Sequence, residues 1–220
     1  MRTGNVGENV VLVYLVVCFF VFLAGFVDSI AGGGGLISLP AYMIAGLPVH
    51  TAIATNKMSS SMGTFVASFH YMKKGFMKWK ICIPAVFGAI AGSWIGSHLA
   101  LLISEKALKI AMLVVLPVIL FYVLRSKALK GKDENATEVI NGMLIFKSIL
   151  IAAVVGIYDG IYGPGTGTFL MLLFTGFCHM TLNDAVGATK AINLTTNITA
   201  LVVFLINGKV LLPLGIAAGV

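Results

Sequence analysis

The sequence predicts an all-α membrane protein whose helices cross the bilayer several times. Of its 220 residues, 59% are hydrophobic and 10% are charged, and the mean hydropathy is +1.01. The apolar residues form runs close to the length of about 20 residues that a helix needs to cross a bilayer. Two of these runs end in a lone aspartate followed by a glycine cluster. These observations predict a polytopic membrane protein made of two homologous helical repeats, each with a glycine-broken segment that is re-entrant or a half-helix.

The first predicted repeat covers residues 1–124. Its apolar runs predict helices at residues 10–27, 51–72, 81–103 and 107–124, with a short apolar segment at residues 36–45. The four glycines at positions 32–35 must end the first helix, because each destabilises a helix by about 1 kcal/mol relative to alanine. The short segment has ten residues. At about 1.5 Å per residue it does not cross a hydrocarbon core of about 30 Å, so we expect a half-helix.

A polar, basic linker at residues 125–141 is predicted to separate this repeat from a second one at residues 142–220. The second repeat reads as helices at residues 142–161 and 182–206, with a short apolar piece at residues 169–177 between them. A last apolar segment is cut off at residue 220, so we expect this repeat to be truncated at its C-terminus. The net charge of +7 comes from Lys and Arg between the apolar runs, which is typical of cytoplasmic loops and argues against nucleic acid as a partner.

The sequence contains no signal for a metal site, a cofactor or a catalytic residue. Cys18, Cys82 and Cys178 are single and widely spaced, and the four histidines are scattered without metal-ligand spacing. The serines at positions 59–61 lack the Gly-x-Ser-x-Gly pattern of a nucleophile. We therefore expect no metal, no cofactor and no catalytic residue.

An internal alignment supports the duplication. An offset of 131 residues matches four pairs, and an offset of 133 matches four more. The first set is Gly25/Gly156, Asp28/Asp159, Gly32/Gly163 and Gly34/Gly165, and the second is Ala52/Ala185, Lys57/Lys190, Ala67/Ala200 and Gly75/Gly208.

The membrane topology stays open at this point. If the glycine-broken segments are re-entrant, the two halves are parallel and the N-terminus is cytoplasmic. If the segments complete a crossing, the halves are inverted and the N-terminus is external.

The matched positions define a candidate anion site. Half-helix ends present N–H groups with partial positive charge, lysines add full charges, and hydroxyl and amide groups add neutral donors. Asp28 and Asp159 are interpreted as proton carriers or as caps of the half-helices, and Asp28 could instead pair with Lys57. The candidate substrate-binding residues are Gly33, Gly34, Lys57, Ser60, Thr64, Gly165, Thr166, Lys190, Asn193 and Asn197.

The glycine motifs and their neighbours resemble a known family. They are residues 25–40 (GFVDSIAGGGGLISLP), 51–57 (TAIATNK), 158–160 (YDG) and 163–167 (GPGTG). In combination they resemble the TauE/SafE family of sulfite and organosulfonate exporters. The resemblance covers nearly the whole chain and implies a duplicated helical transporter linked to sulfite, sulfonates and related sulfur compounds. It also implies at least one helix beyond residue 220.

We therefore expect a secondary transporter for a small anion, with sulfite, a sulfonate or a related sulfur compound as substrate and with proton coupling as a further expectation. Its expected location is the plasma or inner membrane, as a multi-pass protein in contact with lipid. The sequence is compatible with a homo-oligomer. A passive anion channel is the first alternative, and a membrane-embedded enzyme is the second. Such an enzyme would need a reactive group, for which Asp28 and Asp159 are the one candidate pair.

Overall fold

The computed structural model describes residues 4–125 and 140–220, and the described residues form nine α-helices without a strand. The predicted linker at residues 125–141 lies almost wholly outside this part of the chain. The helices are α1 (Gly4–Ala31), α2 (Gly35–Ile44), α3 (Val49–Lys73), α4 (Trp79–Leu102), α5 (Glu105–Arg125), α6 (Gly142–Ile161), α7 (Thr166–Gly176), α8 (Leu182–Ile206) and α9 (Leu212–Gly219).

The described residues expose large apolar side chains and bury polar and charged ones alongside an apolar core, as expected of a chain surrounded by lipid. Within the described residues, α1, α4, α6 and α8 are long and apolar enough to cross a membrane. Large apolar side chains such as Phe22 and Phe87 are 73% and 69% exposed, whereas Lys57 is 1% exposed. Exposed apolar side chains are at no disadvantage in hydrocarbon, but an isolated charge is costly there and is held in the interior. The prediction of an all-α, multi-pass membrane protein is confirmed.

The two glycine clusters end α1 and α6 and are followed by the short helices α2 and α7. Gly32 has a φ of 72°, and Gly163 and Gly165 have φ values of 97° and 80°. Glycine adopts this left-handed region without the steric penalty that a Cβ would bring. The chain can therefore reverse direction within a few residues at each break, and α2 and α7 both start next to the end of the preceding long helix.

Contacts between the helices define their relative directions. The Ser68 hydroxyl donates to the Lys190 carbonyl at 3.0 Å, and Lys57 donates to Asn197 at 3.1 Å, so α3 and α8 run antiparallel. The Tyr71 hydroxyl donates to the Ser29 carbonyl at 3.5 Å, which places the ends of α1 and α3 together.

Helix α1 is therefore parallel to α3, and α2 carries the chain back between them. On the other side, α4 runs parallel to both α6 and α8, so α7 returns the chain in the same way. The helices that the alignment pairs have opposite directions, which corresponds to the inverted arrangement. The duplication itself, the repeat boundaries and the side of the N-terminus stay predictions.

Helices α4 and α6 pack with their backbones in contact. Gly88, Gly92 and Gly96 recur every fourth residue on α4 and lie against α6. A Cβ placed on Gly92 would overlap the carbonyl group of Ala153. Small residues at this spacing let membrane helices approach closely. The α4–α6 pair forms a rigid wall beside α8 and supports the end of α6 that carries Asp159.

Candidate functional site

The N-terminal ends of α2 and α7 meet at the centre of the protein. Gly32 packs against Gly167, where a Cβ on Gly32 would lie 2.7 Å from the Gly167 carbonyl carbon. Gly35 packs in the same way against Pro164. The first N–H groups of a helix point out of its end and carry a partial positive charge, which favours a nearby anion. Two such ends therefore converge on one region between the halves.

Two lysine–aspartate ion pairs join the halves across this region. Lys57 on α3 lies 2.7 Å from Asp159 on α6, and both side chains are 2% exposed. Lys190 on α8 lies 3.1 Å from Asp28 on α1, whose side chain is 22% exposed. The Lys190 ammonium also donates to the Asp28 carbonyl at 2.6 Å. Each lysine is therefore held by the carboxylate of the opposite half, whereas the pairing considered from the sequence joined Asp28 to Lys57.

Each aspartate also bonds to the start of the half-helix that follows it. Asp28 Oδ1 accepts a hydrogen bond from the Gly34 N–H at 3.3 Å. Asp159 Oδ1 accepts one from the Thr166 hydroxyl at 2.6 Å. The Asp28 contact, to a backbone N–H at the start of α2, has the form of the helix cap considered from the sequence, whereas the Asp159 contact is made to a side-chain hydroxyl. The carboxylates therefore connect a half-helix of their own half to a lysine of the other half.

A cavity of about 100 Å³ lies beside the ion pairs, between the two glycine breaks. Most of the predicted site residues line it, whereas Gly33 and Lys190 lie outside the lining, although Lys190 contacts Asp28 at its edge. The predicted residues that line it are Asp28, Gly34, Lys57, Ser60, Thr64, Asp159, Gly165, Thr166, Asn193 and Asn197.

The cavity wall also contains polar residues that the sequence prediction did not include. Ser38 on α2 and Asn56 and Ser59 on α3 line the same space. Asn56 and Ser59 belong to the polar residues of α3 and were visible in the sequence, but the candidate set included only the polar pairs at positions 60 and 64, although the alignment also pairs Asn56 with Thr189. Ser38 is the one serine in the apolar half-helix α2, and no sequence pattern distinguishes it.

A neutral hydrogen-bond chain extends the Lys57 side of the cavity. Asn197 accepts a hydrogen bond from Lys57 at 3.1 Å and donates to Asn193 Oδ1 at 3.4 Å. With Oδ1 of Asn193 used in this way, its amide N–H groups remain as donors at the cavity wall. The Thr64 hydroxyl is instead used within α3, where it donates to the Ser60 carbonyl at 2.6 Å.

A polytopic helical protein with two broken helices and buried charges at their junction has the architecture of a membrane transporter. Comparison with known proteins agrees with this class. The chain belongs to the sulfite exporter TauE/SafE family, whose model matches residues 17–220.

Several relatives carry the name of probable membrane transporter proteins. ORF9 of Sinorhizobium sp is 34% identical over 198 residues, which cover 90% of this chain and 74% of the relative. YfcA of Escherichia coli strain K12 is 34% identical over 220 residues, which cover 98% of this chain and 79% of the relative. A protein of Haemophilus influenzae is 31% identical over 198 residues, which cover 88% of this chain and 74% of the relative. No solved structure matches the chain.

Proposed function

We propose that this protein is a secondary transporter that moves a small anion, either sulfite, a sulfonate or a related sulfur compound, through the cavity between its two halves. The observation that carries the proposal is the meeting of two half-helix N-termini with two buried lysines from opposite halves. Partial positive charge, full positive charge and neutral donors in one buried cavity are the groups that bind an oxyanion. The family is named for sulfite export, and this name favours sulfur oxyanions as the substrate class.

The ion pairs support coupling of this transport to protons. Each lysine charge is balanced by an aspartate, so an entering anion competes with a carboxylate for the ammonium group. Protonation of the aspartate removes this competition and leaves the lysine to the anion. Anion binding and proton binding then favour each other by the same coupling free energy, as linkage requires. This mechanism moves a proton and an anion in the same direction.

The same contacts bear on the two alternatives. A membrane-embedded enzyme would use Asp28 and Asp159 as a reactive pair, but each of them contacts a lysine and a half-helix start. A passive channel would share the architecture and differ in its flux, which would follow the electrochemical gradient of the anion alone. Functional measurements separate both alternatives from the proposal.

The test is an uptake assay in reconstituted vesicles with sulfite and a panel of small sulfonates, with and without an imposed pH gradient. Wild-type protein should accumulate at least one of these anions when protons flow in the same direction. Lys57→Met and Lys190→Met should raise the KM for the anion, and Lys209→Met, which removes an exposed lysine outside the cavity, should not. Flux of a substrate anion that ignores the pH gradient would favour a channel, and no uptake of any anion would contradict the proposal.

Asp28 has a separate expected effect in the same assay. Asp28→Asn keeps an acceptor oxygen for the Gly34 cap but removes the proton-binding group. Uptake driven by the pH gradient should be lost, while exchange of labelled for unlabelled anion should persist. Unchanged uptake driven by the pH gradient would mean that Asp28 acts only as a helix cap, and equal loss of both activities would mean that its charge serves to hold Lys190 in place.

A further inference from the structure

Polar side chains of α2 and α3 line one part of the cavity wall. They are Ser38, Asn56 and Ser59, which are 3%, 6% and 4% exposed. The Ser38 hydroxyl donates to Asn56 Oδ1 at 2.6 Å, and the Tyr42 hydroxyl donates to Ser59 at 2.9 Å. These bonds hold the buried polar side chains in fixed positions. The lining and the bonds together describe a built wall of the cavity.

The carboxamide of Asn56 is used at one end only. Its oxygen accepts the Ser38 hydroxyl, so its nitrogen keeps two N–H donors, and no partner for them is found among the described residues. Because Asn56 lies at the cavity wall, a ligand or water in the cavity can accept a hydrogen bond from this nitrogen, and such a bond is stronger in a low-dielectric site than in water. Because Asn56 lines the cavity next to Lys57, an anion held by the lysine is in a position to accept it.

The positions matched to Asn56 and Ser59 in the second half of the chain do not line the cavity. At an offset of 133 residues, the positions matched to Asn56 and Ser59 are Thr189 and Ile192 on α8. Both are buried and lie outside the cavity lining, and the Thr189 hydroxyl has no hydrogen-bond partner within the described part of the chain. The paired lysines are thus similar in the two halves, but the neutral donors beside them are not.

From these contacts we infer that Asn56, positioned by Ser38, is a specificity-determining residue that donates a hydrogen bond to an oxygen of the bound anion. The inference rests on the proposed function and deepens it. The site selects compact anions with several acceptor oxygens around a central atom, and it disfavours single-atom anions such as chloride. An anion with several acceptor oxygens can bond to the lysine and to the Asn56 donor at once, whereas a single-atom anion held by the lysine gains nothing from Asn56.

The experiment measures uptake of labelled sulfite into vesicles containing the full chain, with chloride as competitor. Asn56→Leu keeps a similar side-chain volume but removes the donor, and it should raise the KM for sulfite by about 10- to 100-fold. The inhibition constant for chloride should stay the same, so the preference for sulfite falls. The matched control is Thr189→Val, which removes the unpartnered hydroxyl at the equivalent buried position and should leave both constants unchanged.

Ser38 is tested as a positioning residue in the same assay. Ser38→Ala frees the Asn56 amide to rotate and should raise the KM for sulfite without lowering kcat, and Ser38→Thr should restore the wild-type KM because it retains the hydroxyl. A lowered kcat with unchanged KM in Ser38→Ala would contradict this role. If Asn56→Leu does not yield monodisperse protein, Asn56→Ser replaces it, since its shorter side chain also withdraws the amide donors.

The outcomes separate the inference from the proposed function. Wild-type sulfite uptake with an unchanged KM and an unchanged preference over chloride in the Asn56 variant overturns the subsite and leaves the transporter proposal intact. Absence of uptake of any anion by correctly folded wild-type protein overturns both. A raised KM for sulfite with unchanged chloride inhibition supports both.

Discussion

The buried pair of Lys57 and Asp159 allows a stability prediction with a definite size. Both side chains are 2% exposed and their charged atoms are 2.7 Å apart. Removing one partner leaves the other charge buried and uncompensated, which typically destabilises a protein by about 3–5 kcal/mol. For a chain of this length about 1 kcal/mol corresponds to about 2–4 °C in melting temperature. Lys57→Met and Asp159→Leu should therefore each lower the melting temperature by about 6–20 °C.

The double variant should behave differently from the sum of the single ones. Replacing both members of a buried pair by apolar residues removes both charges together, and this is often neutral for stability. Lys57→Met combined with Asp159→Leu should therefore melt near the wild-type temperature while transporting no anion. The measurement is thermal unfolding of the purified protein in detergent, analysed as a double-mutant cycle.

A second cycle provides the control for this reasoning. Asp28 is 22% exposed and contacts Lys190, so Lys57→Met and Asp28→Leu should have additive effects. Strong coupling between Lys57 and Asp28, with none between Lys57 and Asp159, would refute the crossed pairing. A single Lys57→Met variant that melts at the wild-type temperature would refute the existence of a buried ion pair at this position.

Two further predictions concern the supporting structure. Gly92→Leu should prevent close packing of α4 on α6, because the new side chain would overlap the backbone of Ala153. This variant should give a lower yield of folded protein in size-exclusion chromatography. Gly176→Ala is the control and should not lower the yield, because no atom lies within 4 Å of a Cβ placed there. Glu105 accepts hydrogen bonds from the His50 ring and from the N–H groups of Val49 and His50. Burial opposes the charged form of this carboxyl group, but the hydrogen bonds outweigh the effect of burial. The pKa of Glu105 is therefore held below its ordinary value of 4.5. The carboxylate therefore stabilises the start of α3 at neutral pH, by about 0.3–1 kcal/mol, and this contribution should disappear as the pH falls below 4.5 through the lowered pKa. Melting curves between neutral and acidic pH should show this loss in the wild type and not in Glu105→Gln, and equal pH dependence of the two proteins would contradict it.

Most of the fold could be predicted because the apolar runs end at strong polar or glycine signals. The bounds predicted for α6 and α8, residues 142–161 and 182–206, agree with the structure residue for residue. The prediction was less accurate where turn chemistry decides the boundary. Helix α7 begins at Thr166 rather than at residue 169, because the left-handed turn at Gly165 lets the helix start immediately after it. Helix α1 begins at Gly4, since its polar N-terminal residues continue the helix beyond the apolar run.

Most of the polar residues that line the cavity were predicted from the sequence, but their partners could not be. A lone charge in an apolar run indicates a functional position whatever its neighbours are. Which charge it meets depends on the directions of the helices, and the sequence left parallel and inverted arrangements open. In the structure α3 and α8 are antiparallel, and Lys57 and Lys190 each reach a carboxylate of the opposite half. Asn56 was not among the predicted site residues, and its hydrogen bond with Ser38 is a contact that periodicity does not encode.

The crossed pairing has a consequence for any transporter built in this way. If each lysine were paired within its own half, the halves could move apart without breaking an ion pair. Because the pairs join the two halves, a relative movement of the halves separates a lysine from its carboxylate, and breaking the buried pair is unfavourable by about 3–5 kcal/mol. In the proposed mechanism, a proton on the aspartate and an anion on the lysine together remove this penalty. We therefore expect the empty, unprotonated carrier to change conformation slowly, which would limit the leak of protons in the absence of substrate.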